Sequence, residues 1–166
     1  KRNINKDCLK DFGIGASLDY DSLPKYLLEK GYTQEEMLSI GVVQKSEKGR
    51  LYDFQAERLI IPIIDNYNNV IAFGGRFLGK TDRAKYKNTK ETRLFVKNKV
   101  LYNVNNLKKY KKEVGEIDNV IVVEGYMDTI SLYKAGFKNV VASMGTALTI
   151  QQAKLLKRYT NKVTIC

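Results

Sequence analysis

Histidine and tryptophan are absent from this 166-residue chain, and proline and cysteine occur only twice each. Without histidine, no Ser-His-Asp or Cys-His catalytic pair can form, and a His-ligated zinc site built by this chain alone is excluded. Acid, base and metal chemistry falls to carboxylates, Lys, Tyr and the two cysteines. Cys8 and Cys166 sit at opposite ends with no CxxC spacing, which argues against a disulfide framework and for a reducing, cytoplasmic setting. No apolar run approaches the roughly 20 residues of a membrane span, so no membrane partner is expected. The opening Lys1-Arg2-Asn3-Ile4 has neither an initiator Met nor the apolar stretch of a signal peptide, and reads as the start of a fragment cut from something longer.

What the chain does have is positive charge, 29 Lys and Arg against 18 Asp and Glu, a net +11. The excess is uneven. Residues 1–79 balance 11 cations with 11 anions, residues 80–99 carry 8 cations against Asp82 and Glu91, and residues 100–166 carry 10 against 5. The twenty residues of the middle segment also hold Tyr86, Asn88 and Asn98. Cations interleaved with an aromatic and amides suit a polyanion such as nucleic acid, while a lysine-rich solvated loop would have the same composition.

Periodicity and punctuation divide the chain. The first fifty residues predict short helices: Ile4 to Phe12 stopped by Gly13, a second opened by Ser22-Leu23-Pro24 and closed by Gly31, and a third capped by Thr33 with Glu36 in capping-box position. Short strands are expected at Val42–Gln44 and Leu51–Tyr52, then Arg58–Ile64 and Val70–Phe73 around the hairpin-like connection Asp65–Asn69. Polar sequence follows to about Arg93, then short apolar pieces at 94–96 and 100–102 and a polar surface helix over 105–112. From Asn119 the pattern becomes β-α-β-α-β at roughly twenty-residue spacing, with the continuous apolar run Val120-Ile121-Val122-Val123 of a buried parallel strand. The fold class is therefore α/β (α+β), with a mixed helix-and-strand domain over 1–115 and a partial parallel-sheet domain over 116–166.

Gly74-Gly75-Arg76-Phe77-Leu78-Gly79-Lys80-Thr81 matches the GxxxxGK[ST] phosphate-loop letters. The letters require a parallel strand before them and a helix starting at the Lys. Here the preceding strand pairs in a hairpin and the following residues have no apolar helical face, so Gly74-Gly75 read better as a bulge or a close backbone approach. A second candidate site is acidic. Glu124 ends the Val120–Val123 strand, Gly125 permits a tight turn, and Asp128 follows on the next helix. Ligand crevices of open α/β sheets lie beyond the carboxyl ends of the strands, and magnesium takes one or two carboxylates together with substrate phosphates. Helix N-terminal preference for Asp128 and simple exposure for Glu124 explain the same letters.

Glu124-Gly125-Tyr126-Met127-Asp128, placed after an apolar strand, resembles the first acidic motif of the TOPRIM domain in bacterial DnaG-type DNA primases. Further stretches agree in the same order. They are Lys10–Gly15, Arg58–Ile63, Phe73–Arg76, Lys85-Tyr86-x-Asn88-x-x-Glu91-Thr92, Phe95-x-Lys97-x-x-x-Leu101-Tyr102 and Ala142–Thr149. The resemblance implies a template-directed polymerase making short RNA primers on single-stranded DNA from nucleoside triphosphates, with a TOPRIM β-α-β-α-β sheet. It implies Glu124 as a Mg2+ (or Mn2+) ligand or general base, Asp128 as support for the metal, and Arg58, Arg76, Lys85, Tyr86, Asn88 and Lys97 as contacts to nucleotide phosphates or the primer-template. It also implies a Zn2+-binding amino-terminal domain and a carboxy-terminal domain for the replicative helicase, both outside this sequence. An Asp-x-Asp metal motif is expected just beyond Cys166, so the chain by itself is expected to be inactive. Lys90 stands where the family has Pro, Lys87 where it is commonly apolar, and the segment before Arg58 lacks an earlier Phe-Arg pair. Another TOPRIM enzyme, a topoisomerase or nuclease, and a nucleic-acid grip without activity are the alternatives.

Overall fold

The computed structural model describes residues 6–79, 83–145 and 147–166, with only the backbone described for Lys6 and Asp7. The elements are α1 (Lys6–Asp11), β1 (Gly15–Ser17), α2 (Ser22–Glu29), α3 (Gln34–Ser39), β2 (Val43–Lys45), β3 (Leu51–Asp53), β4 (Arg58–Ile64), β5 (Val70–Phe77) and β6 (Tyr86–Asn88). A 3-10 turn at Lys97–Lys99 leads to α4 (Val104–Val114), β7 (Val120–Val123), α5 (Tyr126–Lys134), β8 (Val140–Ala142), α6 (Ile150–Leu156) and β9 (Val163–Ile165). The mixed α/β class expected from periodicity is what forms. Two compact units result, residues 5–62 with 72–95 and residues 63–71 with 96–166. The segment from Val96 and all of α4 therefore fold with the parallel sheet, although they precede Gly115.

In the first unit a four-stranded sheet runs in the order β1-β4-β5-β6, beside a two-stranded β2-β3 ribbon. β1 pairs antiparallel with β4, Ala16 opposite Leu59, and β6 antiparallel with β5, Arg76 opposite Tyr86. Neither β1 nor β6 was legible, because three residues of Gly-Ala-Ser or Tyr-Lys-Asn carry no alternation of apolar and polar side chains. The α3 capping box forms as read: Thr33 accepts from the Glu36 amide while the Glu36 carboxylate accepts from the Thr33 amide. The Gly74–Phe77 portion of the phosphate-loop letters is strand β5, paired antiparallel with β6 at Gly74, Gly75 and Arg76, where a phosphate loop would have an unpaired turn. Lys80 and Thr81 of those letters lie outside the described residues, as does Ile4 of the first expected helix.

Asp53 ties this unit together. It is buried at the end of β3, where its Oδ2 accepts from Ser17 Oγ at 2.5 Å and its Oδ1 from the Gln55 amide at 2.7 Å. Burial pushes its pKa up, against the lowering effect of those hydrogen bonds.

The second unit is built on a parallel sheet ordered β8-β7-β9. β7 is central, which explains its unbroken apolar sequence. Leu101, Val104, Leu107, Val120, Val141 and Leu156 close one core around it. The polar surface helix expected over 105–112 is corrected in part: the first turn of α4, Val104–Leu107, is buried. Asparagines tolerate that burial because their amides are paired. Asn103 donates to the Val140 carbonyl at 2.8 Å, and Asn106 donates to Asn103 Oδ1 at 2.7 Å. Thr149 caps α6 with buried Gln152, whose amide also donates to the Val100 carbonyl at 2.8 Å.

Two measurements check this packing. Leu107→Ala is expected to cost about 2–5 kcal/mol in urea unfolding, as for other fully buried leucines. For Asp53, a native pKa raised above the unfolded one means stability present at low pH and lost as pH rises through the native value. Asp53→Asn, compared with the parent by urea midpoints, is therefore expected to be relatively more stable at pH 7 than at pH 3.

Candidate nucleic-acid interface and carboxylate pair

The register of β5 against β6 sorts the basic segment into two faces. Arg76 lies opposite Tyr86 and Gly74 opposite Asn88, so these residues share one face, while Gly75 and Lys87 share the other. On the first face the Arg76 guanidinium lies 5.6 Å from the Tyr86 ring centroid. Its Nε is buried and has no hydrogen-bond partner, whereas Tyr86 and the neighbouring Lys85 are exposed. A partly exposed cation stacked near an exposed ring can take a phosphate and a base side by side.

Arg58 occupies different surroundings. It is 8% exposed, and its Nη1 donates to the carbonyls of Gly75 at 3.3 Å and Ala84 at 2.9 Å. Burial, then the nearby Arg83 charge, draws its pKa down from the usual arginine range. Arg83 itself is paired with Glu57. Gln55 works beside Arg58, donating from Nε2 to the carbonyls of Lys87 at 3.0 Å and Phe73 at 3.3 Å. Gly75 permits this approach: a Cβ there would stand 2.0 Å from Gln55 Oε1 and 2.8 Å from Arg58 Cδ. Lys87 also turns inward, donating to the Phe54 carbonyl at 3.0 Å with its Nζ 3.5 Å from the Phe54 ring centroid. Desolvation and the adjacent Arg58 and Lys90 charges lower its pKa. That accounts for a lysine at a position with apolar surroundings.

Glu124 and Asp128 belong to the other unit. Glu124 follows β7 and is exposed, and Asp128 is exposed in the first turn of α5. The expected tight turn at Gly125 is an extended residue (φ −141°, ψ 170°), a conformation open to any amino acid. The unusual backbone lies in the facing loop, where Met144 and Gly145 are left-handed (φ 64° and 84°). That loop fixes the acidic strand end: the Ser143 amide donates to the Val123 carbonyl at 3.1 Å and the Gly145 amide to the Glu124 carbonyl at 3.0 Å. Beneath them buried Tyr102 and Tyr126 meet edge to face, centroids 4.8 Å apart, and burial raises the Tyr102 pKa. Lys97 is in the same unit, on the 3-10 turn whose carbonyl receives the Gln152 amide at 3.3 Å.

The structure thus groups Arg76, Tyr86 and Asn88 on one face with Lys85 adjacent, sets Arg58 inside, and carries Glu124, Asp128 and Lys97 in the second unit. Gln55 escaped the sequence reading, with only the glycine pair Gly74-Gly75 as a hint; Met144 and Gly145 fall in the Ala142–Thr149 stretch of the resemblance, which gave no role to their backbone. Among the described residues no group of three or more acidic or cysteine side chains could hold a metal ion. Two exposed carboxylates at a strand's carboxyl end fit Mg2+ or Mn2+, which complete their shells with water and phosphate oxygen, and do not fit a closed Zn2+ site.

The DNA primase catalytic core N-terminal domain model matches residues 1–108, and the Toprim domain model matches residues 118–166. A DNA primase of Clostridium acetobutylicum is 45% identical over 165 residues, covering 99% of this chain and 27% of that protein. The solved zinc-binding and RNA polymerase domains of Aquifex aeolicus primase align at TM-score 0.89 and 37% identity, over 99% of this chain and 40% of that one. A DnaG primase catalytic domain bound to single-stranded DNA aligns at TM-score 0.86 and 34% identity, over 99% and 50%. The chain spans about a quarter of the length of the curated relatives it matches.

Truncating the two arginines should separate their roles. Arg58→Ala, which orphans two carbonyls, is expected to lose about 1–3 kcal/mol in urea unfolding. Arg76→Ala is expected to change stability by less than about 1 kcal/mol.

Proposed function

The chain belongs to the DNA primase catalytic core family, and from that premise we propose that its parent protein makes short RNA primers on single-stranded DNA by metal-dependent nucleotidyl transfer. The observation that carries this reading is the exposed pair Glu124 and Asp128 at the carboxyl end of the central parallel strand. Phosphoryl transfer asks little covalent chemistry of the protein and much positioning and charge neutralisation. Bound Mg2+ or Mn2+ would supply Lewis acidity at the transferring phosphate. Glu124 would ligate it or accept the proton of the attacking hydroxyl, and Asp128 would orient that site. Lys97, Arg76 and Lys85 would neutralise phosphates, Tyr86 would stack on a base, and Asn88 would hydrogen-bond the primer-template. The buried setting of Arg58 supports a role in holding β6, with any phosphate contact secondary. A Zn2+-binding domain and a helicase-binding domain would lie elsewhere in the parent protein, and the family's role in replication supports a cytoplasmic setting.

A second reading, a nucleic-acid grip without chemistry, applies to the 166 residues alone. It is favoured by the presence of only paired, not clustered, carboxylates among the described residues. The primase match over residues 1–108 favours either reading over a topoisomerase or nuclease.

The catalytic assignment and the nucleic-acid contact are tested separately. In the parent protein, Glu124→Gln is expected to cut primer synthesis on single-stranded DNA by about 10²-fold or more with DNA affinity retained. Arg76→Ala is expected to flatten the salt dependence of single-strand binding by about 0.7 in log–log slope. Undiminished synthesis by Glu124→Gln would overturn the catalytic assignment.

A further inference from the structure

The unit that carries β6 also contains an open cavity of about 820 Å³ between α2 and α3 and the sheet, which the nucleotidyl-transfer reading does not use. Leu23, Leu27, Met37, Ile60 and Phe73 give it apolar walls. Most of the polar groups on its floor are already committed. Both Asp53 oxygens accept the hydrogen bonds described above. Thr89 Oγ1 accepts from the Phe73 amide at 2.9 Å and donates to the Phe73 carbonyl at 3.1 Å. Gln55 donates to two carbonyls, and its buried Oε1, set against Gly75, is the one acceptor among these floor side chains without a hydrogen-bond partner. The interior therefore offers shape and apolar area, with little to orient a small polar ligand.

Apolar surface continues past the mouth, where Leu18 is 82% exposed, Tyr32 53% and Ile40 42%. The charge on this lip runs against that of the chain. In a sequence of net +11, the cavity lining includes Asp19, Glu36 and Asp53 and no Lys or Arg. The two outer carboxylates are fixed in place. Asp19 accepts from the Asp21 and Ser22 amides at 2.8 and 2.7 Å and from Ser22 Oγ at 2.6 Å. Glu36 accepts from the Thr33 amide at 2.7 Å and from Thr33 Oγ1 at 2.8 Å. These hydrogen bonds hold both acids below their ordinary pKa.

We propose that this cavity docks a basic amphipathic helix of a partner protein, its apolar residues at i, i+3, i+4 and i+7 filling the cavity and its flanking Lys or Arg meeting Asp19 and Glu36. A largely apolar interior, in which the buried Asp53 carboxyl is held by Ser17 and the Gln55 amide, with Asp19 and Glu36 at the rim, is the complement of such a helix. The proposal is independent of the catalytic reading, since it uses neither Glu124 nor the Arg76–Tyr86 face.

The test uses the parent protein and a fluorescein-labelled helix of about 14 Leu and Lys residues in that spacing, with the same helix carrying Glu for Lys as comparison. The overall charge of the chain favours the Glu helix, so a preference for the Lys helix reports the local lip. Fluorescence anisotropy is expected to show the Lys helix binding at least about tenfold tighter than the Glu helix. Leu18→Lys, whose side chain stands mostly in solvent, is expected to leave the melting temperature unchanged and weaken the Lys helix by about tenfold or more, with Asp19→Asn weakening it by a smaller factor. Equal binding of the two helices, preference for the Glu helix, or indifference to Leu18→Lys would each overturn the proposal. So would displacement of the Lys helix by 4-phenylbutylamine at equal affinity, which would make the cavity a small-cation site. Self-association abolished by Leu18→Lys would overturn it too, by making the occupant a second copy.

Discussion

A polar strand cannot hold its place in a sheet by burying apolar surface, and β6, Tyr86-Lys87-Asn88, is such a strand. Its position depends on two buried polar side chains, Gln55 just before β4 and Arg58 at its first residue. Arg58 serves the carbonyls of Gly75 and Ala84, and Gln55 those of Phe73 and Lys87. Burying a guanidinium is costly without hydrogen bonds, and here the carbonyls of Gly75 in β5 and of Ala84, two residues before β6, supply them. The arrangement works only because Gly75 has no Cβ. The exposed Tyr86 ring, the Arg76 beside it and Lys85 thus take their geometry from residues that need never touch a nucleic acid.

The second unit solves the opposite problem. β7 is apolar throughout and hydrogen-bonded on both edges, so burial alone fixes it. What requires a device is its end, where the chain passes within two residues from buried Val123 to the first turn of a helix. The left-handed Met144 and Gly145 bring two amides back onto the carbonyls of Val123 and Glu124. The carboxylates project from a backbone pinned on both sides. Constraint of this kind, applied to groups that themselves stay exposed, is what a site binding a hydrated cation and phosphate needs.

Legibility in the sequence follows the same division. Elements fixed by local signals were readable: the α3 and α6 caps at Thr33 and Thr149, the β4 and β5 runs, and the parallel repeat from β7 onward. Those fixed by tertiary partners were not. Nothing within Gly15–Ser17 or Tyr86–Asn88 announces a strand, because each owes its conformation to a neighbour distant in sequence. Likewise the asparagines opening α4 look solvent-bound by composition, yet they are buried because Val140 and Asn103 accept their amides. At the candidate sites, residue types were legible and environments were not. Arg58 and Arg76 read as equivalent cations until burial set one inside and left the other beside an exposed ring.

The alternation of β5 draws a last consequence. Its even positions, Gly74 and Arg76, look toward the Tyr86 and Asn88 face, whereas Phe73 and Gly75 look toward the cavity and the Gln55–Arg58 bonds. One strand therefore has a cationic face suited to a polyanion and an apolar face whose rim is anionic. Lys87 respects the separation: lying on the cavity side, it surrenders its ammonium to the Phe54 carbonyl and ring rather than adding charge to that face. The two faces differ in chemistry but share their supports. Gln55 lines the cavity and also hydrogen-bonds the Lys87 carbonyl of β6. An occupant that displaced Gln55 would remove a bond from the strand presenting Tyr86, and the coupling between the faces is limited to what that bond and its Arg58 neighbours carry.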